Sequence, residues 1–268
     1  MLKRTISAVV IIGLFVAMLL LGGIYLQVGF AIVGLLCEYE MISSIKKKGV
    51  VTIDIPVYIL TLSLLPTYRL YGLKGVAYTY CLAVMAIFMF RILSEKYDYD
   101  SVLHSLLAII YPQIFMLFVY MVITMKDEGL GIFIIVISVI AASASDTMAY
   151  FTGMLMGKHK LCPKISPNKT VEGAIGGLVG GTVLTGVAAL FLERAEMPLY
   201  MFFLLGFLLA LLSQFGDLTS SVTKRYLGVK NFGDLIPGHG GMLDRVCSII
   251  FVIPVALAVF EMYYGALV

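Results

Sequence analysis

The chain has 268 residues, 61% of them hydrophobic and 13% charged, with a mean hydropathy of +1.02 and a net charge of +3. Soluble domains hold about 45–50% apolar residues, so this composition excludes an ordinary soluble fold and demands repeated crossing of a bilayer. Nothing in it points to nucleic acid, and the four cysteines, Cys37, Cys81, Cys162 and Cys247, show no C-x-x-C spacing that would argue for disulfides or a thiolate metal site.

At about 20 apolar residues per crossing, the sequence predicts an all-α polytopic membrane protein. Nine transmembrane helices are expected near 5–22, 24–45, 51–66, 75–93, 103–125, 131–155, 171–192, 199–224 and 244–264. They are read as one integral membrane domain, with N-terminal helices over 1–125 and polar motifs over 126–268. Lys3 and Arg4 precede the first apolar run, but no small-residue cleavage site follows, so that run is read as a retained helix. The third span is short and carries Asp54 and Pro56. With the N-terminus in the cytoplasm, 15 of the 19 Lys and Arg residues fall on cytoplasmic ends and loops, leaving Arg69, Lys74, Lys126 and Arg194 outside. This follows the positive-inside rule and puts the 156–170 and 225–243 loops in the cytoplasm, where their cations suit anionic lipid or an anionic substrate.

Two polar blocks interrupt the apolar pattern. In the first, Ser143, Asp146, Thr147, Tyr150, Gly153 and Gly157 fall within about a third of a helix circumference, which aims Asp146 at a polar cavity. Lys158, Lys160 and Lys164 follow, and Ser166-Pro167 reads as a cap and first-turn pair starting the seventh helix near Lys169. A lysine beside a helix N-terminus suits phosphate. The same lysines also serve as an ordinary positive-inside loop. Gly173, Gly177 and Gly181, with Gly176 and Gly180 alongside, are read as packing glycines that let the seventh helix approach a neighbour closely.

In the second block, Ser213, Asp217, Ser220, Ser221 and Lys224 share one helix face. A carboxylate in hydrocarbon costs about 2.5–3.5 kcal/mol even on the lenient insertion scale, so Asp146 and Asp217 are expected to face a water-filled cavity opening to the cytoplasm. The turn Pro237-Gly238-His239-Gly240-Gly241 reads equally as a tight connector, but Asp244 and Arg245 directly behind it favour a site, since glycines bring amide N–H groups near phosphates. His104 and His159 are read as structural or lipid-facing. Acids without a His or Cys cluster suit Mg²⁺, and the surrounding cations suit polyphosphate. A P-loop is absent from the sequence.

The stretch from Ser221 to Arg245, S-x-x-K-R-x4-K-x-x-G-x-x-I-P-G-H-G-G-x-x-D-R, closely resembles the signature of the phosphatidate cytidylyltransferases, also called CDP-diacylglycerol synthases. Asp146-Thr147-x-Ala149-Tyr150-Phe151, Gly157-Lys158, Ser166-Pro167-x-Lys169-Thr170-x-Glu172-Gly173 and Gly216-Asp217-Leu218 look like further segments of that family. The N-terminal half matches only in character, as apolar spans with Glu38-Tyr39-Glu40 near a cytoplasmic end.

The resemblance implies an integral membrane enzyme of the cell membrane, typically a homodimer, that joins CTP to phosphatidic acid with Mg²⁺ and releases CDP-diacylglycerol and pyrophosphate. Asp217 and Asp244 are then the metal ligands, with Asp146 as a further ligand or outer acceptor. Lys169, Lys224, Arg225, Lys230 and Arg245 would hold triphosphate or lipid phosphate. Ser166, Thr170, His239 and the Gly240-Gly241 amides would add hydrogen bonds, and Glu172 joins the substrate-binding set. Three positions depart from the pattern: Ser220 stands where many members have Glu, and Asn231 and Cys247 replace expected Asp residues. Asp234 is placed to compensate in part for Asn231. A CTP-dependent lipid kinase and a cation-coupled transporter stay open as alternatives.

Overall fold

The computed structural model describes residues 2–192, 196–238 and 240–265, with only the backbone described for residues 2–4. In chain order the elements are α1 (Leu2–Leu21), α2 (Gly23–Lys47), α3 (Asp54–Leu93), α4 (Tyr99–Ile110), α5 (Gln113–Ile123), α6 (Glu128–Met156), β1 (Lys160–Cys162), β2 (Ser166–Thr170), α7 (Val171–Leu192), α8 (Leu199–Tyr226) and α9 (Met242–Tyr264). The fold is that of an all-α polytopic membrane protein carrying one short hairpin. Among the described residues seven helical stretches are long and apolar enough to cross a bilayer.

The helices differ from the nine expected spans in three places. The apolar part of α1, Thr5–Leu21, falls below the length of the seven. The expected third and fourth spans are joined in the 40-residue α3, which bends where Gly72 adopts φ 61° and ψ −155°. That conformation suits a residue without Cβ. The fifth span divides into α4 and α5 at Tyr111-Pro112, because proline lacks an N–H and biases the residue before it away from helix.

Contacts group the chain into two compact units, Met1–Thr124 with Tyr226–Val246, and Met125–Arg225 with Cys247–Val268. In the first unit, α2 packs on α3, α4 and α5, burying Cys37, Met41, Ile45, Val57, Leu60, Val102 and Met116. Asp98 caps α4: its carboxylate accepts from the Ser101 N–H at 2.7 Å, and Ser101 Oγ accepts from the Asp98 N–H in return. The Ser101 amide holds the Asp98 carboxyl below its ordinary range.

In the second unit, α6 and α7 form an extensive antiparallel pair. A Cβ at Gly173 or Gly177 would come within 2.8 Å of the Ala149 or Ser145 carbonyl, and one at Gly181 within 3.3 Å of the Ala141 carbonyl. The four-residue glycine spacing therefore meets a four-residue spacing of carbonyls on α6, as a close backbone approach requires. Gln214 of α8 ties the pair together, donating to the Ala174 carbonyl at 2.9 Å and to Ser145 Oγ at 3.3 Å.

The seventh helix begins differently from expectation. Ser166-Pro167 does not cap it but opens β2, which pairs antiparallel with β1, Cys162 opposite Ser166 and Lys160 opposite Thr170. The cap is Thr170, whose Oγ1 accepts from the Gly173 N–H at 3.1 Å. Glu172 accepts from the Lys158 and His159 N–H groups and the Val171 N–H donates to the His159 carbonyl at 2.9 Å, so hydrogen bonds that close the hairpin outcompete an earlier helix start.

Candidate functional site

The predicted site residues fall into two groups, one in each unit. In the second unit, β2 presents Lys169 to α8, where its Nζ forms an ion pair with Asp217 Oδ2; the two side chains are 27% and 32% exposed. The structure thus joins a residue predicted to hold phosphate to one predicted to hold metal. Arg225, in the last turn of α8, donates Nε to the Ile165 carbonyl at 3.2 Å and so anchors the hairpin turn. Lys224 precedes it, part-exposed, where cations complement the C-terminal helix dipole. Cys247 is 2% exposed and close enough to Asp217 and Lys224 to feel both charges.

Other members of the set are engaged locally. Glu172 accepts from the Lys158 N–H at 3.1 Å and from the His159 N–H at 3.2 Å, and it contacts His159 Nδ1 at 2.6 Å, which clamps the base of the hairpin. Ser166 sits at the start of β2 and is half-buried. Asp146 lies on the exposed side of α6 with Ser143, Thr147 and Tyr150. Cys37, Cys81, Cys162 and Cys247 form no disulfide.

In the first unit the segment following α8 folds onto three apolar anchors, Leu227, Phe232 and Ile236, each at most 6% exposed. Gly238 and Gly240 hold φ of 80° and 86°, and the Ile236 N–H donates to the Gly240 carbonyl at 2.8 Å, closing the turn. His239 lies outside the described residues. Beside the turn is a pocket of about 380 Å³ lined by Lys230, Asn231, Asp234, Ile236, Gly238, Gly240 and Arg245. Two predicted phosphate-binding cations thus share one concavity, and Asp234 shares it with Asn231.

Asp244 stands at the third position of α9 and accepts from the Phe232 N–H at 2.9 Å and the Gly241 N–H at 3.1 Å. Those bonds tie the loop to the helix that follows it. The Gly241 amide, expected to face phosphate, is directed at Asp244 in this structure. Glu40, in the Glu38-Tyr39-Glu40 stretch, carries no expected role from the sequence. Its Oε1 accepts from the Met242 N–H and its Oε2 from the Leu243 N–H, each at 2.8 Å. Ser44 Oγ, one turn on, donates to the Phe232 carbonyl at 2.8 Å. An acid placed just before the Lys46-Lys47-Lys48 run is the one signal that could have drawn attention to it.

Among the described residues no three His, Cys, Asp or Glu side chains converge to hold a metal ion by themselves. Mg²⁺ is ordinarily held by one or two carboxylates together with water and substrate phosphates. Asp217 and Asp244, each part-buried in its own unit, are each a donor of the class that fits such an ion.

The sequence model described as the Cytidylyltransferase family matches residues 2–263. The chain belongs to that family. The match takes in the N-terminal half, which the motifs alone left out. A phosphatidate cytidylyltransferase of Staphylococcus haemolyticus (strain JCSC1435) is 32% identical over 257 residues, 94% of this chain and 95% of the relative. One from Staphylococcus aureus (strain COL) is also 32% identical, and one from Staphylococcus epidermidis (strain ATCC 35984) is 31% identical over 264 residues, with the same shares covered.

Cys247 and Asn231 stand where the resemblance leads one to expect Asp. Changing Cys247 to Asp puts a carboxylate beside Asp217 and Lys224, and the expected result is a several-fold lower Mg²⁺ concentration at half-maximal activity. Asn231→Asp, at the exposed pocket, is expected to do less. Mg²⁺ titration and thermal melting of the purified variants check this. An unchanged Mg²⁺ requirement in stable protein would place position 247 away from the ion, and a fall in melting temperature would show that the new carboxylate is buried without a partner.

Proposed function

We propose that this chain is a phosphatidate cytidylyltransferase, converting CTP and phosphatidic acid to CDP-diacylglycerol and pyrophosphate. The observation that carries the reading is the 230–245 segment, where Lys230 and Arg245 share a pocket beside a turn braced by Asp244, in a chain similar over almost its whole length to phosphatidate cytidylyltransferases. An oxygen of the lipid phosphate attacks the α-phosphorus of CTP, a new P–O bond forms, and the bond to the β-phosphate oxygen breaks as pyrophosphate departs. Such a transfer asks the protein mainly to position phosphates and offset their charge.

Lys230 and Arg245 bind phosphate in their pocket. Lys169 exchanges Asp217 for an incoming phosphate oxygen, and Lys224 and Arg225 add positive charge at the end of α8. Ser166, Thr170, Glu172, His239, Gly240 and Gly241 hold or orient substrate around these cations. Asp217 and Asp244, with Asp146, would hold Mg²⁺, which when bound supplies charge neutralisation to the attacking and leaving oxygens.

The enzyme is further read as a homodimer in the cell membrane, with nine crossings obtained by counting α1 and the two arms of α3 separately. The N-terminus and the 156–170 and 225–243 loops are assigned to the cytoplasm by the cation asymmetry. Purified protein given labelled CTP and phosphatidic acid is expected to release pyrophosphate. Release of CDP with a phosphorylated lipid would instead identify a lipid kinase, and cation-driven flux in liposomes without turnover of CTP would identify a transporter. For the orientation, a variant keeping Cys162 as its sole cysteine is expected to resist an impermeant thiol reagent in intact cells and to react once the membrane is opened. Labelling in intact cells would reverse the assignment.

A further inference from the structure

Glu40 is 2% exposed, yet among the described residues no Lys or Arg forms an ion pair with it. It instead takes the N–H groups of Met242 and Leu243, the first two residues of α9, which have no acceptor within their own helix. The surrounding backbone is shaped around it. A Cβ at Gly233 would lie 2.6 Å from Glu40 Oε1, and one at Gly241 would overlap Oε2. Those two glycines flank the turn, so one side chain from α2 sets both the start of α9 and the approach of the loop that precedes it. Asp244 depends on the same arrangement, because its partners are the amides of Phe232 and Gly241.

We propose that Glu40 is the positioning residue of the 230–245 segment, holding Asp244 and the Lys230–Arg245 pocket in their working geometry through the α9 N-terminus. It touches no reacting atom in this scheme. The inference rests on the cytidylyltransferase reading for its activity measurements. A carboxylate offers two acceptors to two donors, whereas an amide offers one oxygen and sets an N–H₂ group against the second donor. A charge-assisted bond is replaced by a donor facing a donor.

The test compares Glu40→Gln with Glu38→Gln in full-length purified protein. Glu38 is a suitable control: it is two residues away on α2, 0% exposed, and bonded to Gln113 Nε2 at 2.7 Å rather than to the loop. For Glu40→Gln the expected results are a tenfold or greater loss of kcat, a raised Mg²⁺ requirement, and faster hydrogen exchange at the Met242 and Leu243 amides. The melting temperature should change no more than in Glu38→Gln, which should keep kcat and Mg²⁺ requirement within about twofold of the unaltered protein. Glu40→Asp keeps both acceptors one methylene short, and should recover more kcat than Glu40→Gln. Unchanged exchange at Met242 and Leu243 would overturn the proposal, as would equal losses in Glu40→Gln and Glu38→Gln. Exchange is read without substrate, so it tests the anchoring even if the unaltered protein turns over no CTP, an outcome that would count against the functional reading alone.

Discussion

Asp217→Asn and Asp244→Asn are each expected to lower CTP- and phosphatidate-dependent turnover by at least ~100-fold, the scale on which losing one preorganised electrostatic group acts in other enzymes. The two substitutions remove charge from different surroundings. At 217 the amide keeps the shape of the side chain but loses the ion pair with Lys169. At 244 one amide oxygen can still accept from Phe232 or Gly241, so the loop should stay folded while its negative charge is gone. Steady-state assays at saturating Mg²⁺, with matched amounts of monodisperse protein, make the comparison. Near-normal turnover in either variant would remove that residue from the metal site.

Lys169→Gln is the second large effect expected, at about 100-fold in kcat/KM for CTP on the same electrostatic scale. The alternative explanation is that Lys169 merely neutralises Asp217 and stabilises the hairpin. Magnitude separates the two. A pair about a third exposed contributes only ~0–1 kcal/mol to stability, so unfolding cannot account for a hundredfold loss at temperatures well below the melt. Lys169→Arg keeps the charge and should recover a substantial part of the activity. A melting temperature that falls steeply in Lys169→Gln, with unaltered kinetics below it, would assign Lys169 to structure instead.

The sequence reading and the structure agree most closely where the signal is local. Helix α7 runs over Val171–Leu192, the expected 171–192, because its apolar residues and packing glycines form one uninterrupted stretch. Ser166 shows where local signals mislead. Ser-Pro is a good helix start, but β1 lies close enough to pair with it, and the cap moved to Thr170. The cost of its charge singles out Asp217 in the sequence, whereas its pairing with Lys169, 48 positions earlier by residue number, is not encoded locally. Lys230 and Arg245 were both recognised through the family signature, and only the fold of the intervening turn puts them on one pocket.

By itself the sequence determined that this is a helical membrane protein, where most of its spans lie, and which family its polar motifs resemble. Those properties are sums over neighbouring residues: transfer free energy over a 20-residue window, charge at span ends, and residue types at fixed spacing. Tertiary structure decided how the motifs are held. Glu40 meets the amides of Met242 and Leu243 across 202 and 203 positions, and no periodicity or propensity encodes that meeting. It exists because α9 begins with amide N–H groups that have no acceptor of their own, and a buried carboxylate on α2 is the group the fold brings to them.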